Sequence, residues 1–127
     1  MLKNESYIKG MRLHCPSSTI HEVFQKQATL FENSVALEYE GDFILYSELQ
    51  EKINRRANWL QLYGVLPNHI VAVSLERSPE FIITILAVLQ CGAAYLPIDS
   101  TFPSSRTSFM VDDSRAEFYI TSKANQE

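Results

Sequence analysis

The segment from Ile70 to Asp99 constrains the fold more than any other, because its pieces follow one another without slack. Ile70-Val71-Ala72-Val73-Ser74-Leu75 is a β-rich run, and Ser78-Pro79-Glu80 supplies an N-cap, a first-turn proline and an acid set against the helix dipole. The spacing predicts a helix over about Pro79 to Gln90 that is apolar almost all round, and such a helix must be covered on several sides. Gly92 stops it, Ala94-Tyr95-Leu96 forms a short strand, and Pro97 leads the chain out. Pro103 to about Asp112 makes another helix before a last strand, Glu117-Phe118-Tyr119-Ile120-Thr121. Strand, helix, strand, helix, strand predicts parallel pairing through right-handed crossovers.

The chain ahead of this βαβαβ core carries its own signals. Thr19-Ile20-His21-Glu22 has capping-box spacing, and a helix over about Ile20 to Thr29 follows. Val35 to Tyr39, then Glu40-Gly41-Asp42, then Phe43-Ile44-Leu45 reads as a hairpin, with Gly41 free to take the positive φ of a tight turn. From Ser47 to Leu62, Leu49, Ile53, Ala57 and Leu60 form one stripe at helical spacing, and Gly64 closes that helix as a left-handed cap. The expected fold class is α/β: a partial three-layer α/β/α arrangement with a parallel core, an N-terminal helix and a β-hairpin.

Composition narrows the function classes. At 127 residues, 46% of them apolar and 20% charged, the chain reads as one soluble globular domain. Its net charge is −4 and its basic residues are scattered apart from Arg55-Arg56, which argues against nucleic acid as a partner. Cys15 and Cys91 form no CxxC, so neither a disulfide framework nor a zinc ribbon is indicated, and a reducing compartment fits. Met1 to Gly10 lacks the apolar core of a secretory signal, so the glycosylation-like triplet Asn4-Glu5-Ser6 reads as chance. The apolar region from Phe81 to Leu89 is far short of the roughly 20 residues that span a bilayer. The expectation is a cytoplasmic protein with no membrane partner, residues 1–18 forming an N-terminal extension to a domain over 19–127.

Leu89-Gln90-Cys91-Gly92-Ala93-Ala94-Tyr95-Leu96-Pro97-Ile98-Asp99 resembles the second core motif of amino-acid-activating adenylation domains of nonribosomal peptide synthetases, usually worded Leu-Lys-Ala-Gly-x-Ala-Tyr-x-Pro-Ile-Asp. Ile20-His21-Glu22-Val23-Phe24 with Gln27-Ala28 is similar to the opening helix of such domains. Tyr46-Ser47-Glu48-Leu49, with Asn54 and Ala57, resembles the first core motif. Glu76-Arg77-Ser78-Pro79-Glu80 matches the family wording directly, and Phe102-Pro103-x-x-Arg106 resembles its Tyr-Pro-x-Glu-Arg segment. These segments occur in the family order from about Ile20 to Thr121, and an ordered set is more specific than any one motif. The chain departs from the pattern at several positions. Leu45 stands where a threonine would cap the helix, Arg56 replaces a leucine and must point to solvent or snorkel, and Glu32 replaces a proline. Gln90-Cys91 stand for Lys-Ala, and Leu66 and Asn68 for glycines.

The resemblance implies the N-terminal subdomain of an adenylate-forming, AMP-binding enzyme. It implies ATP and magnesium for the full-length family, and a phosphopantetheine-bearing carrier protein as acceptor of the activated acid. The phosphate loop and the later catalytic motifs of the family are absent from this sequence, and glycines 10, 41, 64 and 92 lie singly. The expectation is a scaffold with no catalytic, cofactor or metal residues of its own and inactive alone, partnered by the remainder of the adenylation domain or by neighbouring synthetase modules. Two alternatives are a stand-alone truncated protein that binds such modules without catalysis, and a fragment of an acyl-CoA or aryl-acid ligase.

The remaining alternative is an independent small α/β enzyme using Asp99 and Asp112. Asp99 reads as a turn or cap group, with a ligand contact at a strand end as the other reading. Asp112-Asp113 reads as a solvated helix end, and His14, Cys15 and His21 match no zinc pattern. Tyr95 reads as a strand residue packed on neighbouring helices, and Cys91 as a small buried hydrophobe.

Overall fold

The structure is a computed structural model that describes residues 19–122. The expected N-terminal extension, with Asn4, His14 and Cys15, lies outside the described residues. Helix α1 (Ile20–Leu30) starts in the predicted capping box: the Glu22 amide donates to Thr19 Oγ1 at 3.4 Å and the Thr19 amide to Glu22 Oε1 at 3.0 Å. Strands β1 (Val35–Tyr39) and β2 (Asp42–Leu45) form the antiparallel hairpin. Both central turn residues have positive φ, 51° at Glu40 and 86° at Gly41, as a two-residue hairpin turn of the primed type requires. The sequence assigned that backbone to Gly41 alone.

Helix α2 (Tyr46–Leu62) buries Leu49, Ile53, Ala57 and Leu60, the stripe read from the sequence. Leu45 at its N-cap offers no acceptor, and only the reciprocal half of a capping box forms, from the Leu45 amide to Glu48 Oε1 at 2.9 Å. The helix ends at Gly64, φ 102°, with the Val65 amide reaching Leu60 O and the Gly64 amide reaching Gln61 O, a Schellman closure.

Strand β3 (Ile70–Ser74), helix α3 (Pro79–Gln90), strand β4 (Ala94–Pro97), helix α4 (Ser104–Ser114) and strand β5 (Phe118–Thr121) complete the described chain. The sheet is parallel with order β4-β3-β5, so the first crossover steps one way and the second returns across β3. Right-handed crossovers in opposite directions put α3 and α4 on opposite faces. Val71 and Val73 of the central strand, fully buried, pack beneath α2 and α3 with Ile83, Ala87 and Val88. Each such valine contributes roughly 1.5–3 kcal/mol. Every residue of α3 except Glu80 is at least partly buried, as its apolar surface demands. The layer on the other face is thin, since α4 buries none of its residues.

Two local expectations are corrected, and two further residues take a left-handed backbone. Ser78 sits at the N-cap of α3, but its hydroxyl donates backwards to Glu76 O at 3.0 Å and does not cap the helix. Tyr95 is not fully enclosed: it lies on an edge strand and is 37% exposed. Asn68 takes φ 73° where the family has glycine, a conformation asparagine tolerates. Arg115 occupies a left-handed position, φ 61°, after α4, and the Ala116 amide bonds Val111 O across it.

Candidate functional site

In an open parallel sheet the ligand crevice lies at strand carboxyl ends, where neighbouring strands send their connections to opposite faces. Here that point falls between β3 and β4. A cleft of about 470 Å³ opens there, lined by Glu76 and Arg77 after β3, by Pro97, Ile98 and Asp99 after β4, and by Phe102 and Arg106 at the start of α4. A second open cleft of about 640 Å³ lies on the other side of the β3–α3 connection, between Leu75, Glu76, Trp59 and the end of β5 at Ile120 and Thr121.

The side chains at these clefts are held by local chemistry. Asp99 Oδ1 accepts from the Thr101 amide at 2.9 Å and the Thr101 hydroxyl at 2.7 Å. These bonds, with Arg106 nearby, hold its carboxyl below the usual aspartate range. That geometry is the turn role read from the sequence. Arg106 stacks over Phe102, 4.1 Å from the ring centroid. Arg56 stays partly exposed, as the sequence required, but its head group is anchored: Nη2 meets Glu80 Oε2 at 2.7 Å, Nη1 donates to Thr84 Oγ1 at 3.1 Å, and the guanidinium lies over Trp59 at 5.4 Å. It ties α2 to α3 beside the larger cleft. Nothing local in the sequence signals this, because its partners lie 24 and 28 residues away.

The family-motif positions fall into separate groups. Glu76, Arg77, Ser78, Pro79, Glu80, Pro97, Ile98, Asp99, Pro103 and Arg106 gather around the strand carboxyl ends. Tyr46 packs against Phe24 with ring centroids 5.8 Å apart, Glu48 caps α2 and Leu49 fills the core. Gly92, Ala94 and Tyr95 lie at the opposite end of the sheet, where the Asn68 amide reaches Gly92 O and the Ala94 amide reaches His69 O.

No acid–base or nucleophile pair forms among the described residues from the candidates the sequence offered. Asp112 sits near the far end of α4, about 12 Å along the helix from Ser104 by helical rise alone, so it shares no site with Asp99. Cys91 is buried with Sγ 3.6 Å from Ala57 O, and burial pushes its thiol pKa up, away from thiolate reactivity. His69 Nδ1 accepts from the Leu66 amide, and His21 contacts the Thr19 hydroxyl. No three His, Cys, Asp or Glu side chains gather for a metal among the described residues. Gly41, Gly64 and Gly92 each serve a turn or helix end, so these residues do not build a cradle for ATP and magnesium. Among the described residues no helix is long and apolar enough to cross a membrane.

A family profile described as AMP-binding enzyme matches residues 24–127. The chain is 42% identical over 106 residues to the dimodular nonribosomal peptide synthase of Bacillus subtilis (strain 168), covering 84% of this chain and 4% of that protein. The N-terminal subdomain of Klebsiella oxytoca NpsA, solved in complex with anthranilyl-AMSN, superposes with a TM-score of 0.80 at 30% identity over 82% of this chain and 27% of that one. NpsA-ThdA, an artificially fused adenylation-PCP di-domain from the same organism, also gives 0.80 at 30% identity, over 82% of this chain and 20% of that one. The chain thus spans a few per cent of its synthetase relative and about a quarter of the solved subdomain.

Proposed function

Because this chain belongs to the AMP-binding enzyme family, as the N-terminal part of an adenylation domain, we propose that it is the scaffold on which a nonribosomal peptide synthetase activates an amino acid. The observation that carries the reading is the coincidence of ordered core segments with a shared backbone: 42% identity to a synthetase and a TM-score of 0.80 to an adenylation subdomain. In this role the chain's own residues pack and position. Val71, Val73, Leu49, Ile53 and Val88 make the core, Arg56 joins α2 to α3, and the Asp99–Thr101 turn fixes the exit from β4. ATP, magnesium and the carrier's phosphopantetheine are met by groups outside the described residues, and the setting is the cytoplasm. An aryl acid is the second reading, favoured by the likeness to a structure solved with anthranilyl-AMSN. The higher identity to the peptide synthase supports the amino acid.

The test is a chimera in which residues 20–121 of this chain replace the matching segment of an adenylation domain from the Bacillus synthase. Amino-acid-dependent ATP–pyrophosphate exchange persists in the chimera, and the 127-residue chain alone shows none. A folded chimera without exchange, or exchange by the chain alone, would refute the scaffold role.

A further inference from the structure

Helix α1 is held to the rest of the described chain largely by polar groups. It buries only Ala28, whereas α2 and α3 bury four residues each. Its two ends carry exposed apolar side chains, Ile20 at 68% and Leu30 at 71%. It joins neither sheet, and it packs on α2 and α3.

The side of α2 that meets it differs from the side that enters the core. Leu49, Ile53, Ala57 and Leu60 are buried in the core, while Tyr46, Gln50 and Asn54 form a second line at a spacing of one helical turn. Tyr46 meets the Phe24 ring of α1. The other two positions are amides, and they start a chain of hydrogen bonds that ends on α1. Gln50 Nε2 donates to Asn54 Oδ1 at 2.9 Å, and Gln90 Nε2, at the end of α3, donates to the same oxygen at 3.0 Å. Gln25 Nε2 of α1 then donates to Gln90 Oε1 at 3.3 Å. The family wording has lysine at position 90, so an all-amide link is this sequence's own. Gln50 Oε1 is buried without a partner among the described residues, and an unmet buried acceptor weakens the arrangement that buries it.

We propose that α1 is a latched helix, which opens as a unit while the parallel sheet, α2 and α3 stay folded, and that the Gln25–Gln90–Asn54 amide chain holds it closed. Opening gives up chiefly the Phe24–Tyr46 contact, the burial of Ala28 and the Gln25 hydrogen bond, and it lets water reach the Tyr46–Gln50–Asn54 line of α2. Eleven residues are too few to stay helical in water, so a released α1 loses its internal bonds and its amides exchange. The device rests on this packing and not on the activity proposed above.

Residue-resolved amide hydrogen exchange on the 127-residue chain, followed through low urea concentrations, tests this. Amides of residues 24–30 should exchange through an opening whose urea slope is under about a third of that for buried amides of α2 and α3, because the slope scales with the surface exposed. Gln25→Ala should speed exchange at residues 24–30 by about two- to tenfold, the worth of one hydrogen bond, relative to Gln27→Ala at an exposed position of the same helix. One slope shared by α1, α2 and α3 would overturn the proposal, and so would equal rates in the two variants. If the chain alone does not fold, the same comparison on the chimera carrying residues 20–121 decides the matter.

Discussion

Replacing Gly92 by alanine should destabilise the fold more than the same change at Gly64, although both glycines close helices in the same way. At each, φ is strongly positive, 81° and 102°, and a residue with a β-carbon costs about 1–2 kcal/mol in that region. The neighbours differ. An alanine Cβ at 92 would stand 3.2 Å from Pro67 Cβ and 3.4 Å from its Cα, whereas at 64 it meets only the Phe118 ring at 3.9 Å. Pro67 cannot retreat freely, because the adjoining Asn68 amide is bonded to Gly92 O at 3.0 Å. Overpacking of this kind adds about 1–3 kcal/mol. Gly92→Ala therefore costs about 2–5 kcal/mol and Gly64→Ala about 1–2. In urea, with a slope near 1–2 kcal/mol/M, their midpoints followed by circular dichroism separate by roughly 1 M. Coincident midpoints would show that the Pro67 contact contributes nothing and that the backbone alone explains both glycines.

Arg56→Ala should cost about 1 kcal/mol, since the pair with Glu80 is partly exposed and the Thr84 hydroxyl loses its donor, while Arg56→Leu recovers most of that through apolar contact; urea midpoints at low and high salt check both. Asp99 is held below its unfolded pKa, so its share of stability is present above the unfolded value of about 3.9 and is lost as pH falls through the folded value. Carboxyl NMR should show it titrating below an exposed aspartate, and Thr101→Ala should raise that midpoint. Arg115→Gly should stabilise by about 1 kcal/mol by removing a β-carbon from a left-handed position; a lower thermal midpoint than the parent would count against it.

Features set by adjacent residues were legible in the sequence. The Thr19–Glu22 box, the α2 stripe, the glycine closures at 64 and 92 and the all-round apolar α3 each depend on local spacing and appear as read. Features set by partners distant in sequence were not. Arg56 finds Glu80 and Thr84 only after α2 and α3 pack, and Tyr95 is exposed because β4 is an edge, which follows from strand order. Ser78 shows a subtler limit: a capping residue at the right place turned its hydroxyl to a closer carbonyl. At the site, Asp99 was readable as a turn group from its position after Pro97. The division of the strand ends into two clefts required knowing that β4 and β5 flank β3.

Whether this chain works inside a larger adenylation domain is tested most directly by the size of the polypeptide that carries it in its native cell. An antibody against residues 20–30 should detect a band several times larger than the 14.5 kDa of this chain. A sole band at 14.5 kDa would contradict the claim and make the chain a stand-alone protein.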